Sequence, residues 1–402
     1  MVKIGIQLDL AGAYGREVLR GVMRFASTLG TWQFVMPPMY SLDRKKTVEP
    51  ASADAVIAMV HSPKSIGPFR EHGVPVVNVA RTLSPLQLSA LDLPTVAPDD
   101  DAVGRLGYRY LRDLGFRQFG FCGHPTGDWS LSRCRAFREA AEADGCWCST
   151  VAAADEVPLE WVRSLPRPCA VLAANDRYAW HAIDACRAVG VRVPEDVAVL
   201  GVDNDVLLAE MVRPTLSSIV PSAFRVGMEA AALLRDLLEG HQPPKTPILL
   251  TPEGVVTRHS TSVLAMQDAD VAAAVRFIRE NAGRPISVED VMACVPTSRR
   301  NLERRFRREL SRSILEEIRR VHIERASELL LTTDLDMPAV ARQSGFRSAV
   351  RFSAVFREET GMSPTAFRRQ HRQVAADRGA EAEEVSRKRS AAGRKRRRGR
   401  AT

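Results

Sequence analysis

Between Ser298 and Arg304 the chain reads Ser-Arg-Arg-Asn-Leu-Glu-Arg, a spacing that starts a helix at Ser298 and turns Arg299, Arg300, Asn301, Glu303 and Arg304 away from Leu302 and Phe306. Such side chains read base edges. Arg grips guanine O6 and N7 with two hydrogen bonds, Asn does the same for adenine, and each good pair discriminates by about 1–3 kcal/mol. Further on, Ser348 is placed to cap a second helix whose inner face carries Phe352 and Phe356 and whose outer face offers Ala349, Val350 and Arg351. Two small apolar groups for thymine methyls and one long donor read less, so the first helix is expected to carry more of the specificity. Arg368 and Arg369 follow as phosphate contacts, which position without specifying.

An arginine-rich helix face alone is often merely solvated, but the elements holding these two faces are duplicated. Val288, Val291 and Met292 give a first helix its apolar side, Val295-Pro296-Thr297 turns the chain, and Ser298 begins the reader. In the second copy Met337, Val340 and Ala341 play the same part, Gly345 permits a left-handed turn, and residues 349–359 form the reader. Ser298 matches Ser348, Leu302 matches Phe352 and Phe306 matches Phe356, and such a repeat says more than either copy. Ile314, Ile318, Val321, Arg325 and Leu329, with Ala326 and Leu330 beside them, keep helical spacing between the copies. One stiff helix would hold the readers about one DNA turn, ~34 Å, apart.

Residues 268–369 resemble the AraC-type double helix-turn-helix domain. Its pattern is met at Ala341, Gly345, Phe346, Ser348, Phe352, Ser353, Phe356, Arg357, Gly361, Ser363, Pro364, Phe367, Arg368 and Arg369. Two residues depart from it: Ser311 stands where the first unit usually has Gly, and His322 where the linking helix usually has Arg.

A second set of polar residues lies at the carboxyl ends of apolar runs. Arg16, Asp99, Asn175, Asp176, Asp203 and Asn204 each follow such a run, where parallel sheets bind their ligands. Carboxylates, amides and an Arg in one cleft suit a ligand rich in hydroxyls, so a sugar is the natural candidate. Asp99, Asn175 and Asp176 are equally placed to cap helices, and Asp203 to anchor its own loop; Asp196 reads as a turn residue and is set aside. The positioning elements are strands at 3–8, 55–60, 74–79, 118–122, 170–173 and 197–202, alternating with helices at 16–29, 104–114, 132–144 and 179–189. Alternation of this kind implies parallel sheets covered by helices, and about 260 residues imply two lobes.

Ala173-Ala174-Asn175-Asp176, the stretch 193–204 ending Gly201-Val202-Asp203-Asn204, Arg213-Pro214-Thr215-Leu216-Ser217-Ser218-Ile219 and Arg258-His259-Ser260 resemble the sensor domain of LacI/GalR-type repressors, which is built like a periplasmic binding protein. That resemblance implies ligand contact by Arg133, by Asn175 with Asp176, and by Asp203. A LacI-like sensor ahead of an AraC-type reader is similar to the xylose operon regulator family. With Tyr14-Gly15-Arg16-Glu17-Val18 in the first loop, this likeness implies that Arg16 lines the pocket and that xylose is the candidate sugar. Trp129, one helical turn before Arg133, is a candidate for stacking on a sugar face.

Composition sets the outer limits. The 402 residues are 45% hydrophobic with a formal charge of +9, and the seven cysteines show no paired metal-ligand spacing, which favours reduced core thiols. No apolar run reaches the ~18 residues of a membrane helix, and residues 1–6 lead straight into a strand rather than a signal peptide, so a cytoplasmic protein is expected. The chain divides into a two-lobed α/β sensor at 1–262, a linker and first helix at 263–284, an all-α double helix-turn-helix domain at 285–370, and a disordered tail at 371–402. That tail holds nine Lys or Arg and no acid between Arg387 and Arg400. The expected partners are double-stranded DNA, a sugar, a second copy of the chain and RNA polymerase; no cofactor, metal or membrane is implied. No nucleophile elbow, phosphate-cradling loop or metal-spaced His and acid set supports an enzyme. A constitutive DNA binder using its sensor only to dimerise, a sugar-modifying enzyme and a transport solute-binding protein are the rival readings.

Overall fold

The computed structural model describes residues 1–37, 48–153, 156–262, 268–310 and 312–368, in two compact units, Met1–Ala265 and Met266–Thr402. In the first unit one lobe is built from β1 (Val2–Gln7), α1 (Ala13–Leu29), β2 (Trp32–Val35), β3 (Ala55–Ala58), α2 (Gly67–Glu71) and β4 (Val76–Asn78), with a parallel sheet ordered β2-β1-β3-β4. After α3 (Pro85–Ala90) and β5 (Val96–Pro98) the chain builds a second lobe. This runs through α4 (Asp100–Asp113), β6 (Gln118–Gly123), α5 (Asp128–Ala143), β7 (Trp147–Ala152), α6 (Leu159–Ser164), β8 (Cys169–Ala173), α7 (Asp176–Ala188), β9 (Val197–Val202), α8 (Val206–Met211) and β10 (Ser217–Val220). Then α9 (Ala223–Leu238) returns to pack on α1, β11 (Ile248–Leu250) pairs with β5, and β12 (Gly254–Val256) closes the second sheet, ordered β12-β10-β9-β8-β6-β7. Among the described residues only β12 runs antiparallel to its neighbour.

The reason is visible in the strands. Every residue of β8 and β9 is buried, as a parallel strand covered on both faces requires. In the first lobe Ile4, Ile6, Val18, Val22, Ile57 and Val77 form one core with Val226 and Leu234 of α9. The helices α1 and α9 touch through Gly21 and Gly227, where an added Cβ would lie about 2 Å from Phe224 O and Val18 O respectively. All seven cysteines are free thiols, six of them in the second lobe, of which Cys122, Cys169 and Cys186 are buried. Among the described residues no helix is long and apolar enough to cross a membrane.

Four helices begin about a turn earlier than apolar periodicity predicts, α1 at 13 instead of 16 among them, and side-chain caps explain two of the four. Helix α4 starts at residue 100 instead of 104 because Asp99 accepts a hydrogen bond from Ala102 N, and α7 at 176 instead of 179 because Asn175 accepts from Tyr178 N. Helix α5 likewise starts at 128 instead of 132. The polar residues of interest therefore occupy helix caps and first turns.

Among its described residues the second unit has helices and no strand: α10 (Ala269–Glu280), α11 (Val288–Met292), α12 (Arg299–Leu310), α13 (Ile314–Thr332), α14 (Met337–Gln343) and α15 (Ala349–Thr360). Helix α10 packs on α11, α12 and α13, so it is part of this unit's core and the boundary falls ahead of it. Leu302 and Phe306 of α12 and Phe352 and Phe356 of α15 are wholly buried, as the repeat requires. Long α13 carries both copies. Glu317, fully buried at its start, is held by Arg312 at 3.1 Å and Arg320 at 2.7 Å. The departure at His322 has a visible consequence: its ring is buried edge-on to Phe346, and burial lowers its pKa. Ser311 and the basic tail lie outside the described residues.

The second turn depends on Gly345, with φ +80°, where a Cβ would meet the His322 ring at 2.4 Å and Arg284 O at 2.7 Å. The left-handed conformation alone costs a non-glycine residue about 1–2 kcal/mol. Gly345→Ala is expected to destabilise the helical unit by more than about 2 kcal/mol in thermal or urea unfolding. A loss under about 0.5 kcal/mol would show that the turn relaxes freely.

Candidate functional site: a polar cavity and two helix faces

A cavity of about 390 Å³ lies between the lobes of the first unit, large enough for a small polar ligand. From one lobe it is lined by Asp9, Tyr14, Met59, His61, Arg81 and Thr82, and from the other by Asp100, His124, Trp129, Arg133, Asn175 and Asp203. Each comes from a loop or an early helical turn beyond the end of a strand, with Arg133 in the second turn of α5.

Arg133 is the centre of this wall. Its Nε donates to Asp100 Oδ1 at 2.8 Å and one Nη to Ala174 O at 2.6 Å, and its guanidinium carbon lies 5.3 Å from the centre of the Trp129 ring. Both members of the pair are almost wholly buried. Burial pushes Asp100 up to about 6, although Arg133 and Arg81 pull it back. Asp203 is raised further, to about 7, by burial, with Arg133 opposing and Asp100 and Asp205 adding repulsion. Asp203 and Asn204 both have positive φ, 107° and 47°, a strain that holds this loop against the cavity. The Tyr14 hydroxyl donates to Val79 O at 2.5 Å, and burial followed by repulsion from Asp100 and Asp203 keeps it protonated. Burial lowers the pKa of His61. The wall thus presents carboxyl acceptors, an amide, a guanidinium and an indole face, which suits a neutral polyhydroxyl ligand.

Of the residues singled out from the sequence, Trp129, Arg133, Asn175 and Asp203 line this cavity together. Three do not line it. Asp99 faces away and caps α4, bonding Ala102 N at 2.8 Å. Asp176 is buried behind the wall, where it accepts from the Ser218 hydroxyl at 2.6 Å and Asp205 N at 2.7 Å. Arg16 stands to one side and joins the lobes instead, bonding Asp205 at 2.8 Å and the carbonyls of Leu10 and Ala11. Sequence reasoning missed Asp100, Tyr14, Arg81, His61 and His124. The signal for Asp100 was present: of three consecutive acids the first caps, and the next is turned about 100° round the helix. Arg81 bonds Asp128 at 2.8 Å and Ser132 at 3.2 Å, a second tie across the cavity.

The second unit presents its two reader faces much as their spacing predicts. Ser298 accepts from Asn301 N and Ser348 from Arg351 N. Arg299 pairs with Glu289 at 2.9 Å and Glu303 at 3.2 Å, which sets its direction. Asn301 donates to Thr297 at 2.9 Å and accepts from Arg304 at 3.1 Å, which leaves one N–H and one lone pair of its amide for an adenine. Among the described residues Arg300 and Arg351 are exposed and carry no such bond. Val350 is 83% exposed while Ala349 packs partly on the core, so Val350 is the apolar contact that this face offers. Arg368 is half-buried, with Nε and one Nη sheltered from solvent; Arg369 lies outside the described residues.

Residues 108–261 match the family description of a periplasmic binding protein-like domain, and residues 292–370 that of a helix-turn-helix domain. Over 91% of its length the chain is 29% identical to the xylose operon regulatory protein of Haemophilus influenzae, covering 98% of that protein, and 27% identical to the one of Escherichia coli K12, covering 96%. A solved xylose-binding transcription activator is similar over 92% of this chain and 98% of its own, with a TM-score of 0.57 and 26% identity.

The buried pair makes a quantitative demand. Asp100→Ala leaves Arg133 charged and short of a partner, which typically costs about 3–5 kcal/mol. Urea unfolding of the full chain should show that loss in its first unit; a loss below about 1 kcal/mol would mean that water reaches Arg133 freely.

Proposed function

We propose that this chain, a transcriptional regulator built like the xylose operon regulatory proteins, reads double-stranded DNA with α12 and α15 and is set by a small neutral sugar held between the lobes of its first unit. The observation that carries the sugar reading is the convergence of Asp203, Asn175, Arg133 and Trp129 on one cavity. Two or more carboxyl and amide acceptors, one guanidinium and one ring face match a pyranose, which offers hydroxyls at its rim and C–H groups on its faces. D-xylose is the first candidate, because similar proteins named for it align over nearly the whole chain.

The sugar acts by binding one arrangement of the lobes better than another, since equal affinity for both would shift nothing. Arg299, Arg300, Asn301, Arg304, Val350 and Arg351 carry base reading, with α12 dominant. The working form is a cytoplasmic homodimer offering four reader helices and meeting RNA polymerase at the promoter. It is a regulator without catalytic turnover of its ligand.

The test is unfolding of the full chain against a panel of pentoses and hexoses. A sugar at 100 times its dissociation constant adds about 2.7 kcal/mol to the unit that binds it. D-xylose is expected to raise that transition, and Asp203→Ala to abolish the rise; no response to any sugar would sink the reading. The titration also has a sign in pH. Asp203, raised to about 7 by burial, accepts sugar hydroxyls best when ionised, so binding pulls its pKa down and releases a proton. Affinity should therefore weaken by about tenfold from pH 8 to pH 6, because the ionised fraction falls about tenfold across a pKa of about 7. A flat profile over that range would remove Asp203 as an ionised acceptor.

A further inference from the structure

The first helix of the DNA-reading unit is fastened by its starting residue to the first recognition helix. Asp268 caps α10, its Oδ1 accepting from the N–H groups of Asp270 and Val271 at 3.2 and 3.3 Å. The same oxygen accepts from Arg305 of α12 at 2.6 Å, the Asp270 carboxylate takes the same Nη group, and Arg308 reaches the other oxygen of Asp268 at 3.5 Å. Arg305 is 18% exposed and Asp268 12%, so this is a sheltered cluster rather than a surface pair. Burial would raise the Asp268 pKa, but the helix N–H groups and Arg305 outweigh it and the carboxyl stays ionised.

Two facts give the cluster a role beyond holding α12 in place. The hydrophobic contact of α10 through Val271, Ala274, Val275 and Ile278 already fastens it to the core. In chain order Asp268 is also the first described residue after the segment that joins the two units, so a pull on that segment arrives at this carboxylate first. Arg305 lies in the same helix as Arg299, Arg300, Asn301 and Arg304 and one turn beyond Asn301, and a rigid helix moves as one body.

We propose that Asp268, Asp270 and Arg305 form the joint through which the sensor sets the placement of the first recognition helix. Arg305 is a positioning residue that carries the sugar signal without contacting either sugar or base. The inference rests on the proposed sugar response. Coupling between distant sites requires an element whose arrangement both sites bias, and this joint is where the covalent link meets the reader.

The experiment measures the affinity of the full-length chain, with and without D-xylose, for a duplex that the wild-type chain selects from a random library. Typical coupling is about 5- to 150-fold. Arg305→Met, which keeps the aliphatic packing, and Asp270→Asn, which keeps the helix start, are both expected to bind DNA and to retain the sugar-induced rise in melting temperature. Their affinity ratio with and without sugar should fall below about twofold, and Arg305→Lys should restore most of it. A wild-type ratio in both Arg305→Met and Asp270→Asn overturns the joint while leaving the sugar response standing. A wild-type chain that binds D-xylose without any change in DNA affinity overturns the response and the joint together. Should Arg305→Met fail to fold, Asp270→Asn alone decides by the same ratio.

Discussion

A guanidinium removed from water must be met on every side, and Arg133 sets that condition for the whole sensor. Its Nε is taken by Asp100 and an Nη by the carbonyl of Ala174, so α4, α5 and the end of β8 are fixed with respect to one another. A buried pair of this kind contributes little net stability over an apolar replacement but is costly to break. Its value is that it fixes geometry. With Asp100 committed to Arg133, Asp203 is a second carboxyl on the same wall, and burial, opposed by Arg133 and reinforced by repulsion from Asp100 and Asp205, raises its pKa to about 7. The Trp129 ring beside the guanidinium then has one orientation. The cavity is in this sense organised before any ligand enters, which lowers the ordering cost of binding.

Much of this was legible in the order of residues, for identifiable reasons. Strands buried on both faces read as unbroken apolar runs, so β8 and β9 could be placed almost to the residue. The reader was plain because it is written twice, and Leu302, Phe306, Phe352 and Phe356 fall where helical spacing puts them. Helix starts drawn from apolar periodicity fell late, because the polar first turns after Asp99 and Asn175 carry no periodicity, although both residues were legible as possible caps. That error propagates into the site: with the α4 cap placed correctly, Asp100 and not Asp99 turns toward Arg133. Arg16 was singled out both by its place after the first strand and by likeness, and the structure gives it Asp205 as partner. Tyr14, His61, Arg81 and His124 could not be found by local reading, since only the tertiary fold brings their loops together.

The reader obeys a different constraint. Helix α13 must carry two small bundles, so its polar start is stabilised internally by Glu317 between Arg312 and Arg320, and its far half supplies Ala326, Leu329 and Leu330 to the second core. A change at α10 reaches the first reader directly, and the second through α13 and through the Gly283–Arg284 loop that lies against Gln343 and Gly345. Side chains on the first reader are already paired with one another. Arg299 is held by Glu289 and Glu303, and Asn301 by Thr297 and Arg304, so the direction of each side chain is set before any base is met.

The central claim is that a sugar held at Asp203 and Arg133 changes how α12 meets DNA. It is tested most directly by the dissociation constant of the full-length chain for its selected duplex, at one fixed salt concentration, with and without saturating D-xylose. The account predicts a change of at least about fivefold in either direction, absent in Asp203→Ala. Equal affinity within about twofold, under conditions where the sugar demonstrably stabilises the first unit, would contradict it.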